Sequence, residues 1–130
     1  MESAARVVLV GDEREHLEAK ASVLRHFWPV RMTGPEPELL EHVAAEVAVV
    51  AVTLNERERQ ECVDRLREQS PGLLIVKMNG YDSGPYAGSY AIVDEAHGPG
   101  ALVSTIYQLL MEKGLPSRAW PEHPEATWLQ

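Results

Sequence analysis

Cysteine is nearly missing from this chain. Cys62 stands alone among 130 residues, which excludes an internal disulfide and fits a reducing compartment. Long apolar runs are missing too: no stretch approaches the roughly 20 residues of a membrane span, and no basic region with an apolar run opens the sequence. A cytoplasmic protein with no membrane association is expected. Positive charge is scarce, since twelve Lys and Arg face twenty Asp and Glu for a net charge of −8, and this disfavours nucleic acid or anionic lipid as a partner. The one run of cations, Arg57, Arg59, Arg65 and Arg67, alternates with Glu56, Glu58, Glu61 and Glu68 and reads as a solvated helix face.

Several chemical signatures are also lacking. There is no GxxxxGK[S/T] loop and no GxGxxG turn, and Gly11 to Glu15 ("GDERE") presents carboxylates where a phosphate needs N–H donors. The histidines at 16, 26, 42, 97 and 123 form no ligand pair, and only His97 falls near the expected ligand crevice. Ser83, Ser89 and Ser104 lack a nucleophile elbow. No cofactor, metal or catalytic set is read, and the chain is not expected to be an enzyme. Cys62 reads as a small packed residue.

What is present is an alternation of short apolar runs with amphipathic stretches, the pattern of parallel strands covered by helices on both faces. At this length and 45% apolar content one domain suffices, burying roughly two-thirds of its extended surface. Strands are expected at Arg6 to Val10, Val30 to Thr33, Val47 to Val52, Leu73 to Met78 and Tyr90 to Asp94. Between them, helices are expected at about Asp12 to Phe27 with Leu17, Ala21, Leu24 and Trp28 on one face, and from Pro37 through Leu39, Leu40 and Val43. A third runs from Glu56 to Gln69, and the last from Gly100 to Lys113, with Leu102, Val103, Ile106, Leu109 and Leu110 inward and Gly114 as its stop. Asp12 is a natural N-cap, and Pro29 ends the first helix. "NGYDSGPYAGSY", Asn79 to Tyr90, holds too much glycine and proline for a stable helix. Residues 1–114 thus form the domain, and 115–130, with three prolines, an extended arm or the start of a linker.

In "RVVLVGDE", "EVAVVAV", "RLREQSPGLLIV" and "HGPGALVSTIYQLL" the chain resembles a response-regulator receiver domain over residues 5 to about 113. The resemblance implies an α/β, flavodoxin-like (CheY-like) fold: a doubly wound five-stranded parallel sheet of order 2-1-3-4-5, here with its fourth helix shortened or replaced by a loop. Receivers bind Mg²⁺ through carboxylates after the first and third strands, phosphorylate the third-strand aspartate, and hold the phosphoryl oxygens with a hydroxyl and a lysine. Laid on this sequence, those positions become Gly11 and Asp12, then Ala51 (Thr53 with a slip of two), Asn79 (Met78 with a slip of one) and Glu95. The phospho-acceptor carboxylate is missing, and Glu95 would repel a phosphate that a lysine would attract. Asp12 is then left to cap the first helix.

The expectation is an atypical receiver, a pseudo-receiver that accepts no phosphate and signals through a protein partner or an output domain. The alternative is a small-ligand sensor using the crevice bounded by Asp12, Thr53, Asn79 and the tyrosine-bearing stretch Asn79 to Tyr90. Tyr81, Tyr86 and Tyr90 alternate with glycines as adaptable binding loops do, or fill the space of the missing helix. Trp120 and Trp128 are candidate anchors of the arm. Val103, Tyr107 and Met111 form an apolar stripe suited to a homodimer. Lys77, inside an apolar strand, either snorkels to the sheet edge or reaches Asp12 or Asp94 as an internal cation.

Overall fold

The computed structural model describes residues 5–41, 43–51, 54–79 and 91–114. Thr53, the tyrosines at 81, 86 and 90, the loop they occupy and the arm 115–130 lie outside the described residues. Five short strands are built by the branched apolar runs: β1 (Val7–Val10), β2 (Val30–Thr33), β3 (Val47–Val50), β4 (Leu74–Asn79) and β5 (Ala91–Asp94). All pairs are parallel, in the order β2-β1-β3-β4-β5.

The side-chain period of two sends alternate residues of each strand to opposite faces, and each face has its own core. Val7, Leu9, Val49 and Val76 meet α1 (Arg14–Leu24) and α4 (Gly98–Lys113) through Leu17, Ala21, Leu24, Leu102, Ile106 and Leu110. Val8, Val10, Ala48, Val50 and Ile75 meet α2 (Pro37–Leu40) and α3 (Glu56–Gln69) through Leu40, Cys62, Val63 and Leu66. A sheet buried on both sides explains why β1 and β3 are apolar at every position.

The helix ends follow local chemistry. Asn55 caps α3 reciprocally: its side chain accepts from the Glu58 N–H at 2.8 Å, and the Glu58 carboxylate accepts from the Asn55 N–H at 3.3 Å. Gly114 closes α4 at φ +72°, a left-handed conformation glycine adopts without a Cβ clash. Three expectations shift. The first helix stops at Leu24, three residues short of the expected Phe27, because the Phe27 and Trp28 N–H groups turn back onto the Leu24 carbonyl and tuck both rings into the core. The second is a single turn that leaves Val43 outside it. The fourth begins at Gly98, after a 3₁₀ turn over Glu95–His97, because Pro99 suits a helix start.

Candidate functional site

Parallel sheets of this order gather their loops at the C-terminal ends of the strands. Val10 and Val50 are paired in register, the Ala51 N–H donates to the Val10 carbonyl at 2.9 Å, and the Gly11 N–H donates to the Thr33 carbonyl at 3.0 Å. Gly11 and Ala51 thus extend the ladder side by side, both buried, Ala51 with no exposure at all. Asn79 and Asp94 are paired at the ends of β4 and β5, and Glu95 follows. The structure therefore brings Gly11, Ala51, Asn79 and Glu95 to one edge of the sheet.

Asp12 is exposed and does not cap α1 as expected. Gly11 still donates to the sheet, so the chain stays extended one step further, and the cap position falls on Glu13, which makes no side-chain cap hydrogen bond.

Glu95 is held by a cation that the sequence did not single out. Lys20, on α1 and only 10% exposed in its side chain, donates to Glu95 Oε2 at 2.8 Å and contacts His16 Nε2 at 2.8 Å. An ammonium has no lone pair to accept with, so in this contact His16 Nε2 is the accepting atom. His16 and Lys20 lie one turn apart on α1, and Lys20 meets Glu95 across a sequence gap of 75 residues. A spacing of i, i+4 was the only local signal of that pair.

Lys77 extends toward the C-terminal edge of the sheet, and the carboxylate it meets there is Glu56, the first residue of α3, in place of Asp12 or Asp94. Alternation along β4 puts it on the same face as Ile75, beneath α3, where its ammonium donates to Glu56 Oε2 at 2.5 Å and to Gln60 Oε1 at 3.2 Å. Glu56 also takes Arg59 Nη2 on its other oxygen at 2.8 Å, and Arg59 Nη1 reaches the Leu54 carbonyl. Arg59 is thus buried, not part of a solvated face, because positions 59, 62, 63 and 66 share the core stripe of α3. The hydrogen bond from Lys77, more than that from Arg59, holds the Glu56 carboxyl below its usual range. Cys62, on the same stripe, is buried, and burial pushes its thiol up to about 11.

The stripe expected on α4 is narrower than its sequence implied. Val103 is fully buried, Tyr107 is half-buried against the core, and Met111 is 59% exposed. His97 is exposed at the start of α4. Among the described residues no three His, Cys, Asp or Glu side chains are grouped to hold a metal ion, and no helix is long and apolar enough to cross a membrane.

At the level of sequence, the chain matches no protein-family profile. No curated protein matches it either. Solved structures do match. A CheY-like response regulator receiver domain protein from Methanospirillum hungatei superposes with a TM-score of 0.72 at 20% identity, over 86% of this chain and 98% of that one. A two-component transcriptional regulator AraC from Clostridium phytofermentans gives 0.68 at 14%, over 85% and 98%. The adenylate cyclase from Rhodopirellula baltica gives 0.61 at 19%, over 85% and 95%. The architecture is the CheY-like, flavodoxin-like fold. At such identities the likeness speaks for the fold and leaves the chemistry to the residues themselves.

Proposed function

We propose that this chain is an atypical receiver domain that accepts no phosphoryl group and works in two-component-type regulation by contact with a protein partner or output domain. One observation carries the reading: Ala51, a buried methyl group, follows β3 beside Gly11, where the resemblance puts the phospho-acceptor. Mg²⁺, which receivers bind, requires hard oxygen ligands in near-octahedral array. The donors here do not fit it, because neither Gly11 nor Ala51 offers a side-chain oxygen and no three His, Cys, Asp or Glu side chains are grouped among the described residues. Glu95, in the place of the phosphate-binding lysine, is already paired with Lys20, which gives an incoming phosphate a carboxylate in place of a cation.

The test is direct. After incubation with Mg²⁺ and acetyl phosphate the intact mass should be unchanged, and beryllofluoride should leave the amide spectrum unchanged. A phosphoryl adduct, or beryllofluoride shifts clustered at Gly11 and Ala51, would sink the proposal. For the partner surface we take the Tyr81, Tyr86 and Tyr90 loop together with Tyr107 and the exposed Met111 of α4. A Tyr81→Ala/Tyr86→Ala variant should lose partners that the intact chain retains on a pull-down, and identical recovery would remove the loop from the interface.

A further inference from the structure

We infer that residues 125–130 of the arm dock on their own chain along the free edge of β2, adding a strand there and seating Trp128 in the cavity beside it. β2 is an edge strand, paired with β1 alone. The Val7 and Gly11 N–H groups donate to the Pro29 and Thr33 carbonyls, so the period of two turns the N–H and C=O groups of Val30 and Met32 away from the sheet. Among the described residues no strand covers that side, and such a row of backbone groups is a template for an added extended segment. Next to it a cavity of about 620 Å³ opens, lined by Val8, Leu39, Val43 and Ala45. Because α2 is a single turn, Leu39 stays 47% exposed. Arg31 lines the same cavity, exposed and with no ion-pair partner among the described residues.

The arm has the chemistry and the reach for this place. Residues 125–130 are its longest stretch without proline, and a pairing strand needs its N–H donors. Thr127 and Trp128 favour extended backbone. Trp128 supplies a large apolar side chain for the cavity, and Glu125 a charge opposite to that of Arg31. α4 starts just after β5, at the C-terminal edge of the sheet, and its 16 residues run about 24 Å back along it. Gly114 therefore comes to the N-terminal edge, where Arg6, Pro29 and Ala45 line the cavity. From β5 to β2 the sheet is about 19 Å wide at ~4.8 Å per strand, whereas residues 115–124 span about 33 Å when extended. Tethering gives the arm an effective concentration on the order of millimolar, which favours it over a second copy. The site lies apart from Gly11 and Ala51 and does not depend on whether the chain can be phosphorylated.

A nitroxide on Gln130→Cys of the whole chain is the probe, Cys62 being buried. It should broaden the amides of Arg31, Leu39 and Val43, equally at all dilutions, and leave them sharp in an isotope-labelled, nitroxide-free chain mixed with it. Leu39→Glu, at an exposed position, should abolish that broadening. The outward Met32 N–H should exchange at least tenfold faster in Trp128→Ala than in the intact chain. Broadening centred on other residues, broadening of the nitroxide-free chain in the mixture, undiminished broadening in Leu39→Glu, or equal Met32 exchange in the two chains each overturns the assignment. If Leu39→Glu does not fold, the mixing experiment and Trp128→Ala decide.

Discussion

Glu56 is the carboxylate on which two buried cations converge, and its removal should be costly in a way that depends on Lys77. The Lys77 and Arg59 side chains are 5% and 8% exposed, against 62% for Glu56. Deleting one member of a fully buried pair costs about 3–5 kcal/mol, whereas exposed pairs contribute about 0.2–1 kcal/mol. With its cations buried and its carboxylate largely in water, Glu56→Ala falls between, at about 2 kcal/mol, or a Tm lower by about 8 °C at roughly 4 °C per kcal/mol. Lys77→Met replaces a buried ammonium by an apolar chain of similar length and should change stability by less than about 1 kcal/mol. In the Lys77→Met background Glu56→Ala should therefore cost only about 1 kcal/mol, since its helix-dipole contribution is common to both backgrounds and cancels. Urea denaturation of the four proteins at constant m-value measures the coupling. The sign with pH also follows. The folded Glu56 carboxyl is held below its ordinary 4.5, so its stabilisation is complete above that value and disappears as pH falls through the folded pKa. The gap between wild type and Glu56→Ala should be constant from neutrality to about pH 5 and narrow by about pH 3. A gap unchanged by Lys77→Met, or unchanged at acid pH, would refute the pairing.

Three further outcomes are expected. Lys20→Met should destabilise by roughly 1.5 kcal/mol, the scale of a charge-assisted hydrogen bond, with faster amide exchange at the Glu95–His97 turn; unaltered exchange there would mean that Lys20 does not tie α1 to it. Gly114→Ala forces a Cβ into the left-handed region at φ +72° and should cost about 1 kcal/mol in a thermal melt; an unchanged midpoint would deny the cap. Cys62, buried and with its thiol pushed up to about 11, should react with a disulfide reagent at pH 8 far more slowly in buffer than in urea, and equal rates would show that α3 does not cover it.

Much of the architecture was legible because it rests on periodicity. Val47 to Val50 announces a strand buried on both sides, and Glu56–Gln69 is bounded by Asn55 before it and Ser70-Pro71 after, so its limits are written locally. Asn55 with Glu58 is itself a capping pair, written in the sequence three residues apart. The charged core was harder. Arg59 and Lys77 are buried because a carboxylate on α3 lies above β4, a meeting 21 residues apart for Lys77 and Glu56 that no local pattern encodes. Lys20 and Glu95 are farther apart still. Local charge alternation around Arg59 pointed to solvent, while its position on the stripe of Cys62, Val63 and Leu66 pointed inward, and packing decided between them.

The two apolar clusters are separated by a single layer of backbone, and this has a consequence for engineering. Leu66 belongs to one and Ile106 to the other, so truncating both should lower stability by the plain sum of the separate losses, as for distant sites without shared neighbours. One side of the sheet is then a free workbench: it can be redesigned residue by residue while the opposite side keeps its own arrangement.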